Sequence, residues 1–292
     1  MTPVLRLAPS GLAQASRLAS SGLARRTPFR WAVTAFALAL AITACAPRRI
    51  SLPSGAGTPF PGFDSGYRQA TADCAGVQSL SAALALSGRA GRTKLRGRID
   101  AGFAAPSDIR LEGVAPFGKP VFVLVSSAAA TTLVLPRDKR VLRGTAPAEI
   151  VEALAGVPLG PAELRGVVAG CGLASAPPTA GRTYDDGWAA VDAGDTTTYM
   201  RQIEGRWRVV AATRGAITID YADFAGGRAS TVHVRTTPVP GGIGSDLTLR
   251  ISQLEINVPL GRTVFEYDVP SDWAPLTLDE LRRAGPLGGD AR

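Results

Sequence analysis

The sequence is poor in the side chains that carry most enzyme chemistry. Its 292 residues contain one histidine and three cysteines. His233 lies in "STVHVRT", where alternation makes it an ordinary strand residue with no second histidine to share acid–base work. No GxSxG elbow, HExxH pair or other paired metal-ligand spacing occurs. Four aspartates cluster in "YDDGWAAVDAGD" (184–195), without the alternating oxygen ligands and terminal glutamate of a calcium loop. They read as turn residues, with calcium as the competing reading. "GGIG" (241–244) opens no helix and so makes a poor phosphate cradle. A protein without catalytic residues, metal or cofactor is expected. Aromatics are also scarce, at 6%.

Glycine and proline, by contrast, are plentiful at 33 and 22 residues, in a chain that is 46% hydrophobic. That balance suits a loop-rich, strand-rich globular body. The N-terminus follows other rules. Arg25, Arg26 and Arg30 precede "WAVTAFALALAITA" (31–44), an uncharged run too short to span a bilayer comfortably. A basic segment followed by such a run is the pattern of a signal peptide. Residues 1–44 hold five arginines and no acid, so without them 27 basic residues face 24 acidic ones, a net charge of +3. No basic run interleaved with aromatics remains, and nucleic-acid binding is not expected.

"ITAC", ending at Cys45, resembles the lipobox of bacterial lipoproteins. The resemblance implies an acylated Cys45 at the mature N-terminus; an ordinary secretory signal or an uncleaved anchor is the alternative. Ala46 after that cysteine, rather than Asp, implies the outer membrane. The expected organisation is signal peptide 1–44, Pro/Gly/Ser tether 45–66 and a single domain 67–292, with 258–292 as a C-terminal extension.

Within the domain, "YRQATADCAGVQSLSAALAL" (67–86) reads as a helix stopped by "SG". Short strands follow at 92–103, 108–115, 119–127, 131–136 and 139–143. "TAPAEIVEALAG" (145–156) reads as a helix with Thr145 as N-cap, Pro147 in the first turn and Ile150, Val151 and Leu154 on one face. "GPAELRGVVAG" (160–170) is a second helix, with Leu164, Val167 and Val168 apolar. Strands resume at 183–191, 195–203, 206–213, 215–221, 229–236 and 246–257, before a helical turn at 277–284. The expected fold is mainly β with α: a strongly curved antiparallel sheet of about nine to eleven strands, forming an open half-barrel covered by a few short helices.

The segment "DIRLEGVAPFGKPVFVLV…RVLRGTAPAEIVEALAGVPLGPAELRGVVAGCG" (108–172) resembles the LolA/LolB lipoprotein-carrier superfamily, and LolB-like acceptors in particular. A strand, a Pro-apolar-Gly turn, a second strand and two short helices arrive in that family's order. The resemblance implies a periplasm-facing, lipid-anchored monomer at the outer membrane. Its partners would be membrane lipid, the acyl chains of cargo lipoproteins and a LolA-like periplasmic carrier. It places a membrane-insertion loop at Pro116, Phe117 and Gly118, with Lys119 near anionic headgroups. Phe117 either enters a bilayer or folds back onto a neighbouring helix. The resemblance also implies an acyl cavity inside the curved sheet. Alternation offers Ile109, Leu111, Phe122, Leu124, Ile217, Ile219, Val232, Val234, Leu247, Leu249 and Ile251 as its lining, under a lid carrying Ile150, Val151, Leu154, Leu164, Val167 and Val168. A filled core is the other outcome. In an oxidising periplasm Cys74 and Cys171 pair, or remain two buried thiols.

Overall fold

The computed structural model describes residues 50–114, 120–128, 130–173, 176–238 and 243–285. The chain enters through β1 (Thr58–Pro59) and helix α1 (Phe63–Ala75). It then lays down six strands as successive antiparallel neighbours: β2 (Ser79–Ala90), β3 (Thr93–Ala104), β4 (Asp108–Val114), β5 (Phe122–Ser126), β6 (Thr131–Leu135) and β7 (Arg140–Arg143). Helices α2 (Pro147–Ala155) and α3 (Pro161–Ala169) follow. A second meander comes next: β8 (Ala180–Tyr184), β9 (Trp188–Ala193), β10 (Thr196–Ile203), β11 (Arg206–Arg214), β12 (Ile217–Ala225), β13 (Arg228–Thr236) and β14 (Ser245–Ile256). The tail adds β15 (Ala274–Pro275) and α4 (Leu278–Ala284).

The two meanders join through β14 and β2, which pair antiparallel with Leu249 opposite Leu86 and Ile251 opposite Leu84. Among the described residues, β7 and β8 therefore lie towards opposite ends of one 15-stranded sheet, extended by β15 beside β7 and β1 beside β8. The sheet is curved, does not close on itself and is antiparallel except for the β7–β15 pair. Register shifts at Tyr199/Met200 and at Ser252/Glu255 mark bulges, which bend the strands that carry them. The β10–β11 hairpin turns on Glu204 and Gly205, both at positive φ (53° and 73°), as a type I′ turn requires.

Several expectations need correction. The helix expected over 67–86 ends at Ala75, and Ser79–Ala90 is a strand. Alanine favours helix intrinsically, but Leu80, Ala82 and Leu84 alternate at period two, and between β14 and β3 that face is buried. Residues 58–66, read as tether, contribute β1 and the start of α1, with the Phe60 ring tilted against Trp207 at 5.6 Å between centroids. The N-cap of α2 is Ala146 and not Thr145; Pro147 does open the helix. The run 183–191 is broken by a 3-10 turn at Asp185–Gly187 into β8 and β9.

One continuous core fills the concave side. Ile150, Val151 and Leu154 of α2 and Val167 of α3 pack there with Phe122, Leu124, Ile217, Ile219, Val232, Val234 and Leu247. Each such side chain removed from water contributes roughly 1.5–3 kcal/mol. "VFVLV" is buried on both faces. Phe122 and Leu124 point into this core, whereas Val123 and Val125 lie in a separate cluster with Tyr267, Val269 and Trp273 of the tail. Residues 258–285 are thus part of the folded body and cover the outer face of β5–β7.

Both crossover helices are fastened at their C-termini. Thr236 Oγ1 donates to the Gly156 carbonyl (2.9 Å) and Ser245 Oγ to the Ala155 carbonyl (2.6 Å), at the end of α2. Past α3, the buried Tyr221 hydroxyl donates to the Val167 carbonyl (3.1 Å) and accepts from the Gly172 N–H (3.0 Å). A disulfide joins Cys74 of α1 to Cys171, closing a 97-residue separation.

Burial raises the Tyr221 phenol above its ordinary value of 10.0. Because the folded-state value is the higher, its stabilisation is complete below pH 10 and is lost as pH climbs beyond it. Tyr221→Phe leaves the buried Gly172 N–H unpaired, so urea unfolding at neutral pH should show a loss of about 1–3 kcal/mol. The wild type should lose more stability than the variant above pH 10. Reducing the disulfide should cost roughly 4–5 kcal/mol in the chain-entropy model, read as a lower melting temperature with reductant that Cys74→Ser reproduces.

Candidate functional site

The site that the fold positions is the apolar interior between the curved sheet and the crossover helices. The proposed lining residues sit on five strands, and alternation aims all but one of them at one volume. Phe122, Leu124, Ile217, Ile219, Val232, Val234 and Leu247 are buried in the main core, with Leu111, Leu249 and Ile251 half-buried against it. Ile109 belongs to a second cluster at one end of the sheet, where it meets Leu80, Phe103 and Val168. The lid residues divide in the same way. Ile150, Val151, Leu154 and Val167 reach the main core, Val168 the second cluster, and half-buried Leu164 touches both.

The interior is occupied by protein. Leu124, Ile150 and Ile219 are wholly excluded from solvent, and the helices fill the space that an acyl chain would need. Glu163 holds the start of α3: Oε2 accepts from the Gly160 N–H (2.8 Å), and Oε1 pairs with Arg214 of β11. Gly156 ends α2 at φ 69°, and a Cβ there would strike Ser245 Oγ, so the close docking of this helix end requires glycine. Cys45 and the loop residues Pro116, Phe117 and Gly118 lie outside the described residues. That loop connects β4 to β5, whose ends are held by the Val121 N–H donating to the Gly113 carbonyl (2.9 Å).

A second feature lies at the rim, where α1, the end of α3 and the β12–β13 hairpin meet around a cleft of about 30 Å³. Arg208 and Arg228 line it beside Val168, Phe224 and Leu254. The Arg208 side chain is 12% exposed and pairs with Asp73 of α1. That hydrogen bond, with further help from Arg228 and Arg206, holds the Asp73 carboxyl below its ordinary range. Sequence reading missed this group, although "RWRVV" (206–210) places two arginines at strand spacing at the head of an otherwise apolar strand.

The other sequence features are placed as follows. His233 Nδ1 lies 3.0 Å from Thr248 Oγ1 on the neighbouring strand. Of the clustered aspartates, Asp192 forms a bidentate pair with Arg182 (2.5 and 3.0 Å). Among the described residues, no group of three His, Cys, Asp or Glu side chains is placed to hold a metal ion. Among the same residues, no helix is long and apolar enough to cross a membrane.

No family model matches the chain, and no curated protein matches it. Several solved structures are similar to it. A LolA superfamily protein from Nitrosomonas europaea is 12% identical with a TM-score of 0.49, over 70% of this chain and 96% of that one. A DUF1329 family protein from Desulfovibrio piger is 14% identical with a TM-score of 0.43, over 70% and 96%. The Mycobacterium tuberculosis lipoprotein LppX is 13% identical with a TM-score of 0.29, over 69% and 98%.

Proposed function

We propose that this protein is a lipid-handling lipoprotein of the cell envelope, tethered through acylated Cys45 to the periplasmic face of the outer membrane. It accepts acylated lipoproteins from a LolA-like periplasmic carrier and promotes their insertion into the membrane, without enzymatic chemistry. One observation carries this reading. An unclosed sheet curves around an apolar interior into which two short helices pack, each apolar on the face it presents inwards. An incoming acyl chain would exchange with α2 and α3, replacing one apolar contact with another at little net cost in exposed surface. The chain would then leave for the bilayer beside Phe117, on the β4–β5 connection, with Lys119 near anionic headgroups. Transfer runs down a gradient of affinity, and no nucleotide is required.

The packed interior favours a second reading, an envelope-assembly lipoprotein with a permanently filled core. A carrier for another lipid or glycolipid is the intermediate case. Native mass spectrometry of the protein purified from membranes separates the three, since they require bound lipoprotein acyl chains, no ligand, and a different lipid, respectively. For the insertion loop, a Phe ring moved from water into lipid gains on the order of 1.5–3 kcal/mol. Phe117→Glu should therefore slow transfer of acylated cargo from carrier to liposomes about tenfold or more. Transfer at the wild-type rate removes the loop from the mechanism.

A further inference from the structure

The rim cleft holds two buried guanidinium donors without acceptors. Arg208 Nε and Arg228 Nη1 are both shielded from solvent, and neither has a hydrogen-bond partner among the described residues. Buried donors are almost always paired, and a charged one left unpaired is costlier than a neutral one. Both arginines line one cleft of about 30 Å³, which marks a place prepared for an acceptor that is not part of the chain. Asp73 meets only part of the demand: it accepts from Arg208 Nη1, while Arg206, Arg208 and Arg228 all act on it electrostatically. Three cations around one carboxylate leave an excess of positive charge.

Size narrows the acceptor. About 30 Å³ of such space accommodates roughly two water-sized groups, the scale of a small charged head such as a carboxylate. The remaining walls narrow it further. Val168, Phe224 and Leu254 are apolar, and Phe224 and Leu254 stay half-exposed at the opening, where a hydrocarbon tail would cover them. Arg208 also depends on its surroundings, since a Cβ at Gly227 would collide with its guanidinium. The hairpin thus leaves room for the charged head.

We infer that this cleft binds the carboxylate head of an acidic amphiphile such as a fatty acid, with Arg208 and Arg228 as the donors and the tail lying across Phe224 and Leu254. The site is separate from the interior beneath α2 and stands whether or not the chain delivers lipoproteins.

The test is calorimetric titration of the full chain in nanodiscs of zwitterionic lipid, with empty nanodiscs as reference and hexanoate, hexanol and acetate as probes. Hexanoate should bind with one-to-one stoichiometry, at least about tenfold tighter than hexanol, which lacks the charge, and than acetate, which lacks the tail. Arg228→Gln should weaken hexanoate about tenfold and leave hexanol unchanged. Arg228 is the better variant because Arg208 also supports α1 through Asp73, and the probe comparison in the wild type needs no variant at all. Hexanol binding as tightly as hexanoate, acetate doing so, or an Arg228→Gln variant of unchanged affinity would each overturn the inference. None of these results bears on cargo transfer, so this site and the lipoprotein reading fail independently.

Discussion

The strand order forces the chain to cross its own sheet. β7 ends the first meander near one edge, β8 begins the second near the other, and the sheet between them is already continuous through β14 and β2. Residues 144–179 must therefore travel from edge to edge, and the shortest covered route runs across the concave side. Everything in that segment follows from the crossing. Its helices are short because each spans only part of the hollow, they are apolar on one face because that face meets the sheet, and glycines end both because the path must bend.

What fills the hollow is thus decided by topology as much as by composition. Aromatic residues are scarce, and the interior is built mainly of Leu, Ile, Val and Ala from strands and helices together. The fastenings at the helix ends are polar: hydroxyls of Thr236 and Ser245 meet carbonyls that the end of α2 leaves open, and the Tyr221 hydroxyl bridges the Val167 carbonyl and the Gly172 N–H. Such hydrogen bonds are modest individually, yet each leaves an unsatisfied group behind when broken. The crossover can leave the sheet only if an incoming molecule or solvent takes over those contacts.

Much of this was legible in the sequence wherever local pattern and tertiary environment agree. Strands β3 to β7 and β10 to β14 are strand-like runs set off by turn residues, and the Pro-opened, Gly-closed helices at 147–155 and 161–169 carry their own start and stop signals. The segment 79–86 misled because "SLSAALAL" satisfies a helical period and a strand period alike; only its position between β14 and β3 decides, and that is a long-range fact. Cys74 and Cys171 stood out as two thiols left after Cys45, whereas their placement at α1 and the end of α3 needed coordinates. The tail was opaque for a related reason. Tyr267, Val269 and Trp273 have no periodicity of their own and make sense only against the outward valines of β5. Arg208 and Arg228 are far apart in sequence and meet only because the β12–β13 hairpin returns beside β11.

The seam between β2 and β14 has a consequence for how the molecule is made. β2 emerges among the first elements, while its partner emerges close to the end, so the middle of the sheet is the last part to be joined. Until then the early meander carries a twelve-residue strand with one bare edge, open to pairing with the wrong chain. A pairing between strands so far apart in sequence forms slowly. A nascent copy therefore depends on being kept from its neighbours until its second half has arrived.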